Sequence, residues 1–378
     1  MIIRFWGVRG SLPSPAGFSE LKEKITRAVD LALRESPAPE SAAGFVARLP
    51  ERVTSFVGGN TPCLEISCKS RILIFDAGSG IRNLGAHLTP SQELDIREEL
   101  QALGKPGAKG ESEGKAGAKP KTASRARARR RHLDLLFTHT HWDHIQGFPF
   151  FAPAYDKDTS ITIHAANTRA VEDGLRAQQS TPLLFPIHFD ELPADIRFRT
   201  LTEDGLKLGP FEVEFMRLPH PGGSTAYRIR AFGHTVVFAT DYELLGDGPE
   251  INRVREDMKS FIQAADVFIS DTQYTYLESH SKEGWGHSNA LNVVEMAHAA
   301  GVKRLYLFHH DPSNSDGKLY DMLEKAASYS ELLFPGSGLS ICLATEGTAL
   351  EFPEHSGGSP RLVPHDQWIS GYGRKSGK

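Results

Sequence analysis

The segment LFTHTHWDHIQGFPFF, residues 136–151, concentrates metal-binding side chains on one short loop. Three histidines and one aspartate, His139, His141, Asp143 and His144, fall within six residues directly after an apolar run. Imidazole nitrogens and carboxylate oxygens are groups with which proteins bind zinc and related divalent metals. The first two histidines could face one ion, and the aspartate and the last histidine could face a second. The loop therefore predicts a metal centre.

A centre with two metal ions needs more ligands than this loop provides, and further candidates occupy one recurring sequence position. Each follows directly after a short apolar run of the kind that forms a buried strand. These candidates are His220, Asp241, and the adjacent pair His309 and His310. A single histidine at a strand end usually has a structural role, but the recurrence of the same arrangement favours a metal centre. The acidic residue among them, Asp241, could bridge the two ions.

Short apolar runs separated by turn residues predict the strands that would position these ligands. Twelve such runs are present, at residues 2–6, 63–67, 72–75, 133–137, 160–164, 213–218, 226–229, 235–239, 267–270, 304–308, 340–343 and 349–352. Because strands and helical segments are interspersed, the sequence predicts one α/β domain over residues 1–352. The polar residues 353–378, rich in Gly and Pro, are expected to form a C-terminal tail.

Three segments have apolar residues at helical spacing. In the first, the apolar residues that fall on one face are Leu21, Ile25, Ala28, Val29 and Ala32. The second covers residues 168–179. The third is expected to start after a capping Ser288 and to end at Gly301. Its predicted inner stripe is Leu291, Val294 and Ala297 or His298.

The composition indicates a cytoplasmic protein without a membrane partner. No stretch of the chain is long and apolar enough to cross a membrane. The first residues, MIIRFWGVRGS, are interrupted too early by Arg4 and Arg9 to form a signal peptide. The three cysteines are odd in number and lack CxxC spacing, so reduced thiols are expected rather than a disulfide framework.

The net charge of −4 is unevenly distributed along the chain. Residues 101–131 hold ten Lys or Arg against two Glu, whereas the remainder is acidic. This segment has too few apolar residues to fold by itself, and we interpret it as a solvated basic insert. The alternative is a basic arm that contacts nucleic acid or an acidic partner. The acidic remainder argues against general nucleic-acid binding.

Four further segments resemble the metallo-β-lactamase superfamily, and within it the branch of ribonuclease Z and the cyclic-nucleotide phosphodiesterases. They are MIIRFWGVRGSLPSP, ILIFDAGSGIRNLG with Asp76, HPGGSTAYRI, and GHSNALNVVEMAHAAGVKRLYLFHHDP. The His-x-His-x-Asp-His loop is specific to the superfamily, and the last segment is specific to the branch. The resemblance covers almost the whole chain outside the insert and the tail. It implies a four-layer αββα sandwich with a two-metal site at the sheet edge.

The resemblance also implies how the ligands divide between two divalent ions, expected to be zinc with manganese or iron as alternatives. One ion would take His139, His141 and His220, the other Asp143, His144 and His309, and Asp241 would bridge them. The family's His-x-x-Pro pattern aligns Pro312 with His309, which favours His309 over His310 as the final ligand. His310 is left with a role beside the ligands or with none.

Two more residues match the acid–base element of this branch. His287 corresponds to a histidine that the family places over the leaving group, and Asp271 stands where the family has its carboxylate partner. The ribonucleases usually have Glu there, so the shorter Asp271 departs from their pattern. The resemblance implies that His287 protonates the leaving oxygen. Asp143 could also accept the proton of the attacking water. The plainer alternative for His287 is an ordinary residue before a helix.

Substrate contacts are predicted for Ser224 and Thr225, which follow His220, and for Asn60 in SFVGGNTPC, with simple turn residues as the alternative. The leading prediction is a dinuclear metal-dependent phosphodiesterase that acts on a small phosphodiester or nucleotide, such as a cyclic nucleotide. One alternative is a tRNA 3′-end endonuclease of the ribonuclease Z type, whose partner would be RNA. Another is a hydrolase of lactones, β-lactams or thioesters. A homodimer is compatible with each of these functions.

Overall fold

The computed structural model describes residues 1–89, 131–180, 183–246, 248–353, 358 and 360–363. Most of the expected insert and of the expected tail therefore lies outside the described residues. Two of their boundaries need correction, because Arg131 begins a strand and Arg361–Val363 form another. Among the described residues, no helix combines the length and the apolar character that crossing a bilayer requires.

The strands of the described residues form two sheets. They are β1 Ile2–Gly7, β2 Cys63–Cys68, β3 Arg71–Phe75, β4 Arg131–Leu136, β5 Thr159–Ala165, β6 Asp195–Thr200, β7 Leu206–Leu208, β8 Phe211–Leu218, β9 Ser224–Ala231, β10 His234–Ala239, β11 Val267–Asp271, β12 Arg304–Phe308, β13 Ser340–Leu343, β14 Ala349–Glu351 and β15 Arg361–Val363. The first sheet has the order β15-β14-β1-β2-β3-β4-β5-β6, and the second β13-β12-β11-β10-β9-β8-β7. Strands β3 to β6 pair in parallel, as do β10 to β13.

All twelve predicted strands are confirmed, with ends that differ by at most two residues. Strands β6, β7 and β15 were not predicted. Strand β6, with the sequence DIRFRT, lies at the edge of the first sheet and carries charged residues at every second position. Strands β7 and β15 have three residues each, too few for alternation to be recognised. Short or charged edge strands lack the apolar run by which buried strands are recognised.

Helices cover the outer faces of both sheets. They are Phe18–Arg34, Ala42–Val46, Glu51–Thr54, Ile81–Leu88, Trp142–Ile145, Thr168–Gln178, Pro249–Phe261, Tyr276–Ser281, Ala290–Ala299 and Asp316–Leu333, with 3-10 turns at Phe148–Phe150, Ala152–Tyr155 and Phe189–Glu191. The predicted cap of Ala290–Ala299 is wrong, because Asn289 accepts the N–H of Asn292 there. The hydroxyl of Ser288 instead donates to the carbonyl of Tyr242.

The predicted inner stripe of the helix Ala290–Ala299 is correct in part. Val294 and Ala297 are buried as expected, and Val293 is buried with them. Leu291 and His298 are only half-buried. The helix therefore packs on its sheet with a face rotated by about one residue from the predicted one.

Successive side chains of strand β3 pack on opposite faces of the first sheet, and this shows how the layers are built. Leu73 and Phe75 pack in the core shared by the two sheets, whereas Ile74 packs in the core beneath the helix Ile81–Leu88. A strand that is apolar on both faces must be covered on both faces. The result is the predicted four-layer arrangement of helices, two sheets and helices.

Candidate metal centre and active site

Ligands predicted from separate segments meet at one edge of the sandwich. The ligand atoms of His139, His141 and His220 lie within 4.8 Å of one another. The ligand atoms of a second group, Asp143, His144, Asp241 and His309, lie equally close together. His139 and His141 follow β4, and Asp143 and His144 lie on the short helix Trp142–Ile145. The other ligands follow β8, β10 and β12, so elements of both sheets position the groups.

The carboxylate of Asp241 faces both groups. Its Oδ1 lies 3.8 Å from Nε2 of His139 and 3.8 Å from Nε2 of His220. Its Oδ2 lies 3.2 Å from Nε2 of His144 and 3.3 Å from Nε2 of His309. Two oxygens of one carboxylate thus point toward two sets of imidazoles, which is the geometry that a bridging ligand requires.

Hydrogen bonds behind the imidazoles determine which ring nitrogen faces the centre. The Nδ1–H of His144 donates to Asp76 Oδ2 at 2.9 Å. The Nδ1–H of His220 donates to the carbonyl of Gly286 at 2.8 Å, and that of His309 donates to Gln273 Oε1 at 2.9 Å. Donation from Nδ1 leaves Nε2 with a lone pair directed into the centre. Metal-binding histidines are commonly held in this way.

The environment of His144 tests whether this donor set fits a cation. Its Nε2 is buried without a hydrogen-bond partner among the described residues, and it lies 3.3 Å from Asp143 Oδ2. A lone pair that faces carboxylate oxygens is unfavourable unless positive charge lies between them. Nε2 of His139 is also buried and without a partner in the described part of the chain. The residues present therefore fit divalent metal ions.

The pKa shifts agree with a centre that attracts positive charge. Burial alone lowers the pKa of His144, but the surrounding carboxylates of Asp143, Asp241 and Asp76 raise it well above its ordinary value. Burial opposes ionisation of Asp241, yet the imidazoles of His309 and His144 hold the pKa of that carboxyl well below its usual range. Ionised carboxylates among buried imidazoles are suitable ligands for a cation.

Backbone conformation at the strand ends turns several of these side chains inward. Positive φ angles occur at Asp76 (59°), Asp241 (58°), His309 (60°) and Ser11 (61°). Such angles are uncommon outside glycine and cost about 1–3 kcal/mol each. The backbone N–H of Ser11 donates to Asp143 Oδ2 at 2.7 Å. Left-handed residues concentrated at one site are typical of functional geometry that the surrounding structure maintains.

The predicted acid–base pair lies next to this centre. The Nδ1–H of His287 donates to Asp271 Oδ2 at 2.7 Å, so the shorter carboxylate does reach the ring. Asp271 is fully buried and also accepts the N–H groups of Asp241 and Gln273. Burial alone lowers the pKa of His287, but Asp271 raises it to about 9. The rings of His287 and His309 stack with centroids 5.1 Å apart.

His310 lies outside the cluster. Its Nε2–H donates to the carbonyl of Ala344 at 2.9 Å, and burial lowers the pKa of the ring to about 3. His309, in contrast, has Nε2 at 3.2 Å from Asp143 Oδ2. The structure therefore brings His309, and not His310, to the predicted ligands.

Two of the three predicted substrate contacts, Ser224 and Asn60, form hydrogen bonds within the protein. The hydroxyl of the buried Ser224 donates to the carbonyl of Thr240 at 2.9 Å. Thr225 is buried within β9. The side chain of Asn60 donates to Glu346 and accepts from Ser79, both at 2.9 Å. The side chains of Ser224 and Asn60 are thus engaged in hydrogen bonds within the protein, and a substrate contact by any of the three residues stays a prediction.

Some residues around the centre were not assigned a role from the sequence. Asp76 accepts from Thr138 as well as from His144, and it follows β3 just as the predicted ligands follow their strands. That recurring position could have identified it. Gln273 and the carbonyl of Gly286 have no comparable signal, because a glutamine or a backbone group carries no motif by itself.

Comparisons with known proteins agree with this architecture. A family model described as a beta-lactamase superfamily domain matches residues 113–310. The probable metallo-hydrolase YhfI of Bacillus subtilis is 30% identical over 104 residues, which are 28% of this chain and 38% of that protein. Ribonuclease Z of Sulfurisphaera tokodaii is 34% identical over 85 residues, which are 22% of this chain and 28% of that protein. The match thus spans less than half of either curated relative.

A solved structure with a similar fold is that of unliganded yeast PDE1. It superposes with a TM-score of 0.51 at 16% sequence identity, covering 76% of this chain and 94% of that chain. At this identity the likeness is one of fold.

Proposed function

Because this chain belongs to the metallo-β-lactamase superfamily, we propose that it is a dinuclear metal-dependent phosphodiesterase that hydrolyses a small phosphodiester, such as a cyclic nucleotide. The observation that carries the proposal is the contact between His287 and Asp271 beside the metal ligands. Asp271 and His287 also form a close group with Asp241 and His309. Because Asp271 accepts the Nδ1–H of His287, we leave both residues outside the proposed ligand set. A proton donor fixed beside the metal ligands is what hydrolysis with an alkoxide leaving group requires, because the alkoxide must be protonated as it leaves.

The proposed ligand set is the one predicted from the sequence. One ion would be held by His139, His141 and His220, and the other by Asp143, His144 and His309, with Asp241 bridging. Zinc is the proposed metal, with manganese or iron as alternatives, because imidazole and carboxylate donors accommodate all three. Bound ions of this kind supply water activation and Lewis-acid stabilisation of phosphoryl oxygens.

The chain's own residues would orient groups and move protons. The Nε2–H of His287 would donate to the leaving oxygen while Asp271 holds Nδ1. The N–H of Ser11 holds Asp143 in place, and this carboxylate could also accept a proton from the attacking water. A positioned general acid typically contributes about 10²–10⁴-fold to the rate.

A tRNA 3′-end endonuclease is the second candidate, favoured by the similarity to a ribonuclease Z over 85 residues. Such an enzyme needs an extended contact with RNA. The described residues between Phe151 and Phe211 include β5, β6, β7 and the helix Thr168–Gln178. Lys and Arg are sparse in that region, so the basic insert at residues 101–130 would have to provide the RNA contact.

A substrate screen of the metal-loaded protein tests the proposal. Cyclic nucleotides, linear dinucleotides, precursor tRNA, a lactone and a β-lactam would be compared under the same conditions. We expect turnover of a cyclic nucleotide or a dinucleotide. Hydrolysis confined to the lactone or the β-lactam would contradict the proposal.

Deletion of residues 104–130 separates the two candidates. Turnover of a small phosphodiester should stay within a few-fold of the full chain. If RNA is the substrate, the deletion should weaken RNA cleavage and reduce its salt dependence, because phosphate contacts govern both.

A reducing compartment is consistent with the cysteines. Cys63, Cys68 and Cys342 are free. We therefore propose the cytoplasm as the site of action.

A further inference from the structure

The carboxylate of Glu243 holds the loop that carries His287. Its Oε1 accepts the N–H of Gly284 at 2.9 Å, and its Oε2 accepts the N–H of Gly286 at 2.7 Å. Glu243 lies two residues after Asp241 on the segment that follows β10. One side chain thus connects the loop of the proposed proton donor to the segment of the proposed bridging ligand.

The conformation of this loop depends on its glycines. Gly284 and Gly286 have φ angles of +82° and +85°, a region that side chains disfavour. Two amide groups that converge in this way form a concave anion site, which here receives the carboxylate of Glu243. A Cβ atom on Gly286 would lie 2.2 Å from Nδ1 of His220, so the loop backbone packs directly against that imidazole.

Both backbone polar groups of Gly286 form hydrogen bonds. Its N–H donates to Glu243, and its carbonyl accepts from Nδ1 of His220. His287 is the next residue, so the residue directly before it is fixed by two hydrogen bonds. On the amino-terminal side the loop is exposed, with Trp285 62% exposed, and the N–H of Trp285 bonds only within the loop, to the carbonyl of Lys282.

We propose that Glu243 is a positioning residue, which places His287 over the centre by holding the Gly284 and Gly286 amides. The inference rests on the proposed function, in which His287 protonates the leaving oxygen. Loss of the carboxylate releases the loop on the side that faces solvent, and a displacement of about 1 Å at a reacting group can cost about 10²-fold in rate. His220 keeps its own hydrogen bond to the carbonyl of Gly286, so we expect slower proton transfer with bound metal unchanged.

Glu243→Ala tests the role, with Glu283→Ala as the matched control. Glu283 is an exposed carboxylate of the same loop. We expect Glu243→Ala to lower kcat on a cyclic nucleotide by about 10–10²-fold, with a much smaller change on bis-p-nitrophenyl phosphate, whose leaving group hardly needs a proton. Glu243→Gln should lie between, because its amide oxygen accepts one N–H while its NH₂ group opposes the other. Equal losses on both substrates would overturn the proposal.

A double-mutant cycle tests whether Glu243 acts through His287. If it does, Glu243→Ala should cause no further loss in a His287→Ala background. Additive losses would overturn the proposal. So would a fall in bound metal in Glu243→Ala, because that would assign the effect to His220.

Amide hydrogen exchange provides a readout that needs no turnover. The amides of Gly284 and Gly286 should exchange faster in Glu243→Ala than in the wild type, and should be unchanged in Glu283→Ala. Unchanged exchange in Glu243→Ala would overturn the inference even where the wild type hydrolyses phosphodiesters. If the wild type hydrolyses no phosphodiester, faster exchange in Glu243→Ala would still support the role of Glu243 in holding the two amides, and the missing turnover would contradict the proposed function.

Discussion

The metal centre buries polar side chains, whereas the helix Phe18–Arg34 exposes apolar ones. At the centre, Asp76 and Asp271 are at most 1% exposed, and each accepts three or more hydrogen bonds. In the helix no residue is buried, and the apolar Phe18 and Ile25 are 82% and 54% exposed.

The helix is attached to the body through its polar side. The ammonium group of Lys24 lies 3.1 Å from Asp316, and Glu20 accepts the N–H of that residue at 2.6 Å. The contrast shows that buried hydrogen bonds fix the side chains of the centre, whereas the helix is held by a few polar contacts. Apolar residues that face solvent contribute little to the stability of the folded chain.

The largest effect is expected from Asp241→Ala. This substitution removes the carboxylate that lies between the two groups of imidazoles, so we expect loss of bound metal and of all hydrolysis of bis-p-nitrophenyl phosphate. Elemental analysis beside the activity assay checks both. Absence of stoichiometric zinc, manganese or iron from metal-supplemented wild type would show that the centre is not a metal site.

His287→Ala should lower the rate of hydrolysis without changing the amount of bound metal. On a cyclic nucleotide the rate should fall by about 10²–10⁴-fold, whereas bis-p-nitrophenyl phosphate should lose clearly less. Asp271→Asn should give the same pattern more weakly, because Asp271 orients the ring and does not transfer the proton. Loss of metal from the His287 variant would remove the acid role from this residue.

Asp76→Asn should weaken metal binding without unfolding the protein. Asparagine tolerates the positive φ at this position, but it removes the negative charge that holds Nδ1–H of His144. Partners of this kind typically contribute about 10–100-fold to metal affinity. Competition with a chelating dye measures the change, and an affinity equal to that of the wild type would contradict the assigned role.

Leu33→Ala should have the smallest effect, and Leu305→Ala is its matched counterpart in the core. Leu33 is 79% exposed on the helix Phe18–Arg34, whereas Leu305 in β12 is fully buried. We expect a change within about 0.5 kcal/mol in the free energy of unfolding for the first. For the second we expect a loss of about 2–5 kcal/mol. Urea denaturation compares them, and similar losses would mean that the exposed helix is packed in solution.

The order of strands and ligands could be predicted from the sequence because both signals are local. A buried strand needs a short apolar run, and a metal ligand needs His or Asp directly after it. These two requirements identified twelve strands and brought His139, His220, Asp241 and His309 into one hypothesis. The resemblance of the same segments to a known superfamily then gave the four-layer fold.

Side-chain exposure and hydrogen bonds between residues far apart in the chain could be established only from the tertiary structure. Periodicity indicated an apolar face with Leu21 and Ile25, but it could not tell that these two side chains are exposed to solvent. Ser224 and Asn60 are predicted to contact substrate, and only the fold shows that their side chains donate hydrogen bonds to Thr240 and Glu346. Glu243 carries no motif, because its role comes from two amides about forty residues away. A hydrogen bond requires a distance and a direction in space, and sequence spacing specifies these only within one element or turn.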